Sequence, residues 1–189
     1  GSSDLIETGS VMTPSGTDAR SWCTWMKPAG SVAGSKYETA LGMGGSGAGT
    51  SFIFTRAGMV TPNKYFFIGF GGADVYTNTI ANVGTWQFWW VGYSGDSPGD
   101  VLFNWVDGVY DSQGTPNLNT GSTSVEAGFY TPAGSTYQEK WHGTLDEISI
   151  WNTEMSPALA QYLYNSGAPG THQQYPFTPP APPPPPPAN

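Results

Sequence analysis

The chain has 189 residues, 14 of them acidic and 6 basic, for a net charge of −8, and only 11% of its residues are charged. That length suits one domain with a substantial core plus a tail. The composition lacks both the Leu, Glu and Lys of a helical bundle and the basic footprint that phosphates demand, so nucleic acid is excluded as a partner.

Aromatic residues reach 14%, and 26 Gly and 17 Pro punctuate the chain. Aromatics fit a pleated, half-buried surface while Gly and Pro make tight turns, so the pattern predicts many short strands. The first is residues 20–26 (RSWCTWM), stopped by Lys27-Pro28. Its Cys23 has no partner for an intramolecular disulfide and reads as a small buried hydrophobe. Next, Gly42-Met43-Gly44-Gly45-Ser46-Gly47 formally fits G-x-G-x-x-G. That motif binds phosphate only between a strand and a helix, and no helix follows, so a mobile inter-strand loop is predicted.

Residues 50–56 (TSFIFTR), 65–70 (YFFIGF), 86–93 (WQFWWVGY) and 101–106 (VLFNWV) continue the series. Asp107-Gly108 then predicts a two-residue hairpin turn, because both positions tolerate positive φ. Residues 125–130 and 145–151 (LDEISIW) are the last predicted strands. A short helix follows, with Ser156 as N-cap, Pro157 at the first position and Gly167 as C-terminal cap. Ala158, Leu159, Tyr162 and Leu163 are expected on its buried face. Strands at this spacing predict an all-β fold, a two-sheet antiparallel β-sandwich with one short C-terminal surface helix.

From Pro176 the chain reads PFTPPAPPPPPPAN. Fixed φ and missing N–H groups drive such a tract into extended polyproline II. Residues 1–171 are therefore expected to form the sandwich domain, and 172–189 a tail that acts as a spacer or an assembly element. The opening Gly1-Ser2-Ser3, without Met, fits a processed terminus, an expression scar or a piece of a longer protein. No apolar run approaches the ~20 residues that span a bilayer, so no direct membrane insertion is expected, and no signal peptide or N-glycosylation sequon is seen.

The chemistry-bearing residues point away from catalysis. Asp146-Glu147 are adjacent, so on a regular strand they face opposite sides, whereas retaining glycoside hydrolysis needs two carboxylates roughly 5–5.5 Å apart. His142 and His172 have no metal-ligand spacing with another His or Cys, and no nucleophile-elbow pattern is present. A non-enzymatic role is expected. Calcium stays open: Asp4, Asp18, Asp74, Asp96, Asp100, Asp107, Asp111, Asp146 and Glu147 offer hard oxygen ligands, or are simply solvated turn residues. Trp22, Trp25, Trp89 and Trp151 lie within strands and are expected in the core. Tyr110, Tyr130 and Tyr137 fall at loops and are the candidate ligand-binding residues, since sugar rings stack on aromatic faces.

Read in order, several segments resemble a laminin-G-like (concanavalin A-like lectin/glucanase) jelly-roll domain. Trp25-Met26-Lys27-Pro28 is similar to an early family strand ending Trp-x-Lys-Pro, and Gly84-Thr85-Trp86 to a Gly-x-Trp opening. Asn104-Trp105-Val106-Asp107-Gly108 resembles the family's Val-Asp-Gly hairpin. The stretch from Trp141-His142-Gly143 to Ile150-Trp151-Asn152 resembles its Phe-x-Gly-x-Ile-Asp-Glu segment, and Met155-Ser156 through Tyr164 its closing helix. The resemblance covers about residues 10–170. It implies a jelly-roll sandwich used outside the cell or on a virion surface to bind glycans or glycoproteins, with a rim calcium for which Asp146 is the ligand carried over. The acidic cluster of the related pentraxins has no counterpart here, and Ala160 replaces the helix Glu. The tail resembles hydroxyproline-rich cell-surface glycoproteins. The alternative role is a structural protomer of an extracellular filament, wall or coat, self-assembling as each polyproline tail docks on a neighbouring subunit.

Overall fold

The structure, a computed structural model, describes residues 6–7, 15–32, 37–45, 47, 49–57, 64–68, 74–95, 100–121, 125–129, 131 and 140–164. The strands are β1 (Ile6–Glu7), β2 (Arg20–Pro28), β3 (Tyr37–Gly44), β4 (Ser51–Ala57), β5 (Lys64–Ile68) and β6 (Val75–Ile80). They continue with β7 (Gln87–Tyr93), β8 (Leu102–Val106), β9 (Val109–Gly114), β10 (Glu126–Ala127) and β11 (Gly143–Trp151), and α1 (Pro157–Tyr164) follows. They form a six-stranded sheet in the order β1-β10-β3-β4-β5-β6 and a five-stranded sheet in the order β11-β2-β7-β8-β9. Every ladder between named strands is antiparallel. The chain is the two-sheet β-sandwich that its turn-punctuated strands predict.

Between the sheets, Trp22 and Met26 of β2 and Trp89, Val91 and Tyr93 of β7 meet Leu41, Met43, Phe52 and Phe54 of the other sheet. Trp22 stands edge-on to Phe52 with ring centroids 5.0 Å apart, and Phe54 tilts against Trp89 at 5.4 Å. Each fully buried side chain of this size contributes roughly 1.5–3 kcal/mol of transfer free energy, so these rings hold the sheets together.

The five-stranded sheet is covered on its outer face as well. Cys23 and Trp25 of β2 and Phe88 and Trp90 of β7 pack beneath Met155, Ala160 and Leu163. Burial on both faces explains why β7 runs apolar from Phe88 without alternation, and why β2 buries Arg20, Ser21 and Thr24 along with its aromatic residues. Burial pushes the Cys23 thiol up to about 12, as expected of a buried hydrophobe. Trp22, Trp25 and Trp89 are core residues as predicted, whereas Trp151 is only half-buried.

The Asp107-Gly108 hairpin forms with φ of 49° and 74°, the double left-handed signature of a type I′ turn. Helix α1 starts as read: Ser156 Oγ accepts from Leu159 N–H at 3.3 Å, and the Ser156 carbonyl from Ala160 N–H at 3.0 Å. Its buried face matches the expected one at Leu159 and Leu163 and differs at the other two positions. Ala158 is exposed and Tyr162 is 54% exposed, while Ala160, Leu163 and Tyr164 turn inward. Tyr164 stacks on Trp25 at 5.8 Å and approaches Phe88 at 6.1 Å, and that contact sets the rotation of the helix. Gly167 lies outside the described residues.

Two further expectations are corrected. Gly42 to Gly44 are not loop: they pair with Ile53, Phe52 and Ser51 as the end of β3. Only then does the chain turn, at Gly44, where φ is 97° and a Cβ would lie 2.2 Å from the Thr50 carbonyl oxygen. The strand expected over 125–130 shrinks to Glu126–Ala127. Gly128 (φ 79°) diverts the chain there, its N–H bonding to the Ala40 carbonyl at 2.8 Å.

Candidate functional site

The outer edges of the two sheets, β6 and β9, meet on one rim of the sandwich. Asp111 on β9 joins them. Its Oδ2 accepts the Asn78 N–H at 2.8 Å and its Oδ1 the Thr79 N–H at 2.7 Å, while Asn78 Nδ2 donates to the Asp111 carbonyl at 2.6 Å. One carboxylate thus satisfies two backbone donors that an edge strand would otherwise leave to solvent.

Beside this clamp lies a cleft of about 300 Å³, lined by Asp74, Val75, Tyr76, Gln113, Gly114, Thr115 and Pro116. Val75 and Pro116 are buried and form its apolar base, and Asp74, Tyr76, Gln113 and Thr115 are exposed around it. Gly114 permits the close approach of the two strands, because a Cβ there would stand 2.5 Å from Val75 Cγ2. Tyr76 is 49% exposed and Tyr110 45% exposed. The Tyr110 hydroxyl donates to Gln113 Oε1 at 3.1 Å, which ties that ring to the wall of the cleft. A carboxylate, an amide and a hydroxyl beside an exposed tyrosine ring suit a small ligand rich in hydroxyl groups.

Tyr110 also ends an aromatic series on the outer face of the five-stranded sheet. It meets Trp105 edge-on at 5.7 Å, and Trp105 tilts against Trp90 at 5.4 Å. Trp90 lies under α1, whereas Trp105 is only half-buried.

Of the three tyrosines expected at loops, Tyr110 stands instead on strand β9 at this rim, because the hairpin turn ends at Gly108, and Tyr130 and Tyr137 lie outside the described residues. Tyr76, Gln113 and Thr115 were not singled out in the sequence, and Asp74 was named only as one of many possible calcium ligands. The available signal was the alternation of β6, where Val75 and Thr77 are buried and Tyr76 and Asn78 exposed.

Asp146 is exposed on β11, an edge strand. A register shift between Asp146 and Ser149 breaks the regular alternation expected for Asp146-Glu147. Glu147 there has φ of 54°, and Asp146 Oδ1 accepts its N–H at 2.9 Å. Among the described residues no three His, Cys, Asp or Glu side chains come together to hold a metal. Several acids that composition offers to calcium accept hydrogen bonds within the protein. Besides Asp111 and Asp146, Asp107 accepts the Phe88 N–H at 2.8 Å and Asp100 accepts the Tyr93 hydroxyl. The Tyr93 hydroxyl is pushed well above its usual range, first by burial and then by that carboxylate. Among the described residues no helix is long and apolar enough to cross a membrane.

No protein-family model matches the chain, and no curated protein matches it in sequence. Solved structures do match in fold. A proposed carbohydrate-binding protein from Bacteroides ovatus superposes with a TM-score of 0.64 at 12% identity, over 84% of this chain and 44% of that one. The chain thus spans less than half the length of that protein. A heptameric SAP-like pentraxin from Limulus polyphemus gives 0.62 at 11% identity, over 85% of this chain and 74% of that one. The CBM40 domain of the Ruminococcus gnavus IT-sialidase, bound to α2,3-sialyllactose, gives 0.58 at 9% identity, over 79% and 84%. At these identities the likeness is one of fold: a sandwich architecture shared with carbohydrate-binding domains.

Proposed function

We propose that this domain is a non-catalytic module that binds carbohydrate through the rim cleft between β6 and β9, working outside the cell or at a surface. The observation that carries the reading is the grouping of Asp74, Gln113 and Thr115 with the exposed ring of Tyr76 around one cleft, with Tyr110 hydrogen-bonded to Gln113 beside it. Sugar hydroxyls pair with the carboxylate, amide and hydroxyl, and the apolar C–H face of a pyranose stacks on a tyrosine. The carbohydrate-binding neighbours share the fold and support the reading. Asp74 is the one carboxylate among the lining residues. Glycoside hydrolysis by an acid and its partner needs two, which favours binding over turnover.

A glycan-array screen of the chain tests this, run with calcium and then with chelator. Selective retention of a glycan, weakened about tenfold or more by Tyr76→Ala or Asp74→Asn, is expected from the loss of one stacking or charge-assisted contact. No glycan retained in either buffer overturns the reading. Loss of binding in chelator alone would bring in a calcium at the cleft, since Asp146 on β11 stands at the opposite edge of the five-stranded sheet from β9.

A further inference from the structure

We propose that the open end of the outer aromatic series, Trp105 and Tyr110, docks the chain's own proline tract, residues 179–187, in cis. The proposal goes beyond glycan binding and concerns the outer face of the five-stranded sheet, which borders the rim cleft at Tyr110.

Helix α1 covers Trp25, Phe88 and Trp90 and leaves the same face uncovered further along, where Trp105 is half-buried and Tyr110 is 45% exposed. The two rings meet at 81° and 5.7 Å, so they form a step with two differently inclined walls. A polyproline II helix has three residues per turn and presents proline rings as apolar ridges. Inclined aromatic rings are what such ridges pack between. Docking a preformed rod also loses little conformational entropy, because proline φ is already fixed.

The occupant follows from where the described chain stops. The helix ends at Tyr164, whose Cδ1 lies 2.9 Å from the position of a Cβ on Gly108, and Gln161 Nε2 donates to the Gly108 carbonyl at 3.3 Å. The chain therefore leaves the helix on the β8–β9 turn, two residues from Tyr110. Residues 165–178 then connect to Pro179, Pro180, Ala181 and the unbroken run of Pro from Pro182 to Pro187. A stretch of that length can reach roughly 46 Å when extended, enough to return the tract to the adjacent face. Tethering at this distance gives an effective concentration on the order of millimolar. A second copy of the chain at micromolar concentration cannot compete with that. Residues 176–189 carry no charged side chain, so the −8 charge of the chain does not oppose the contact.

The test uses the full chain with a nitroxide label at Asn189→Cys; Cys23 is buried and its thiol pushed up to about 12, so it does not react. In isotope-labelled protein, docking removes most of the Trp105 indole and Tyr110 amide signal and leaves β11 signals intact. Replacing Pro182 to Pro187 with serine leaves the domain untouched and restores the signal at Trp105 and Tyr110, and Tyr110→Ala restores the Trp105 indole. An effect spread evenly over the surface, or one that survives the serine tail, overturns the proposal. So does an effect seen when the nitroxide and the isotope are on different chains, since the tail would then reach a second copy.

Discussion

Asp107 and Phe88 exchange two hydrogen bonds that extend the β7–β8 ladder into the β8–β9 turn. The Asp107 N–H donates to the Phe88 carbonyl at 2.9 Å, and the Asp107 carboxylate accepts the Phe88 N–H at 2.8 Å. The hairpin on which Tyr164 rests is thereby pinned to the strand that Tyr164 covers. The carboxylate is desolvated for this role, and burial raises its pKa above 3.8 despite the bond from Phe88.

That shift has a sign. A carboxyl whose pKa is raised by folding holds its proton more tightly in the folded state, so stability falls as pH rises from 3.8 through the folded pKa. Asp107→Asn keeps an oxygen acceptor for Phe88, tolerates the left-handed turn and cannot ionise. The variant is expected to melt above the parent at neutral pH, with the difference shrinking as pH falls below the window. Thermal melts across that range check it, and a difference that widens in acid refutes the account.

Gly108 is the tighter half of the turn. At φ of 74°, with Tyr164 Cδ1 2.9 Å from a Cβ position, alanine meets both backbone strain and a ring. The left-handed conformation alone costs about 1–2 kcal/mol. Gly108→Ala should lose at least that much in urea unfolding, with α1 loosened first. Hydrogen exchange of the helix amides reads the second effect.

These turn and helix residues show which features were legible in the sequence. Asp107-Gly108 and Ser156-Pro157 were readable because local backbone chemistry decides them. β2, β4 and β7 were readable because closely spaced aromatic and β-branched residues mark buried strands. β6 and β9 escaped notice: Val75–Ile80 and Val109–Gly114 are short edge strands with Thr, Asn, Asp, Ser and Gln on them. Their pairing depends on Asp111 reaching across 32 and 33 residues of chain. The rim cleft is built from those two strands, so Asp74, Tyr76, Gln113 and Thr115 could not be grouped before the topology was known. Tyr110 was found from exposure at a turn, without the Gln113 contact that gives it a role.

Ser21 joins the strand core to the segment before the helix. Its hydroxyl donates to the Thr153 carbonyl at 3.0 Å and accepts the buried Met155 N–H at 2.7 Å. Ser21→Ala leaves that N–H without its acceptor, a loss of about 1–3 kcal/mol. The midpoint of urea unfolding should fall without a change in slope. An unchanged midpoint would show that water replaces the serine.

Asp111 is where stability and binding are joined. Its carboxylate holds Asn78 and Thr79 of β6 against β9, and the cleft opens between the same two strands at Val75 and Gly114. Asp111→Ala removes both acceptors. Charge-assisted bonds to buried donors are worth roughly 1.5–3 kcal/mol, but one of these two is exposed, so a net loss of about 1–2 kcal/mol is expected after screening. Because the strand edges then separate, the glycan affinity of the folded variant should fall together with its stability. Asp111→Asn, with one oxygen left to accept, should fall between. If Asp111→Ala loses stability while glycan affinity is unchanged, the β6–β9 rim is a structural seam and the sugar site lies elsewhere.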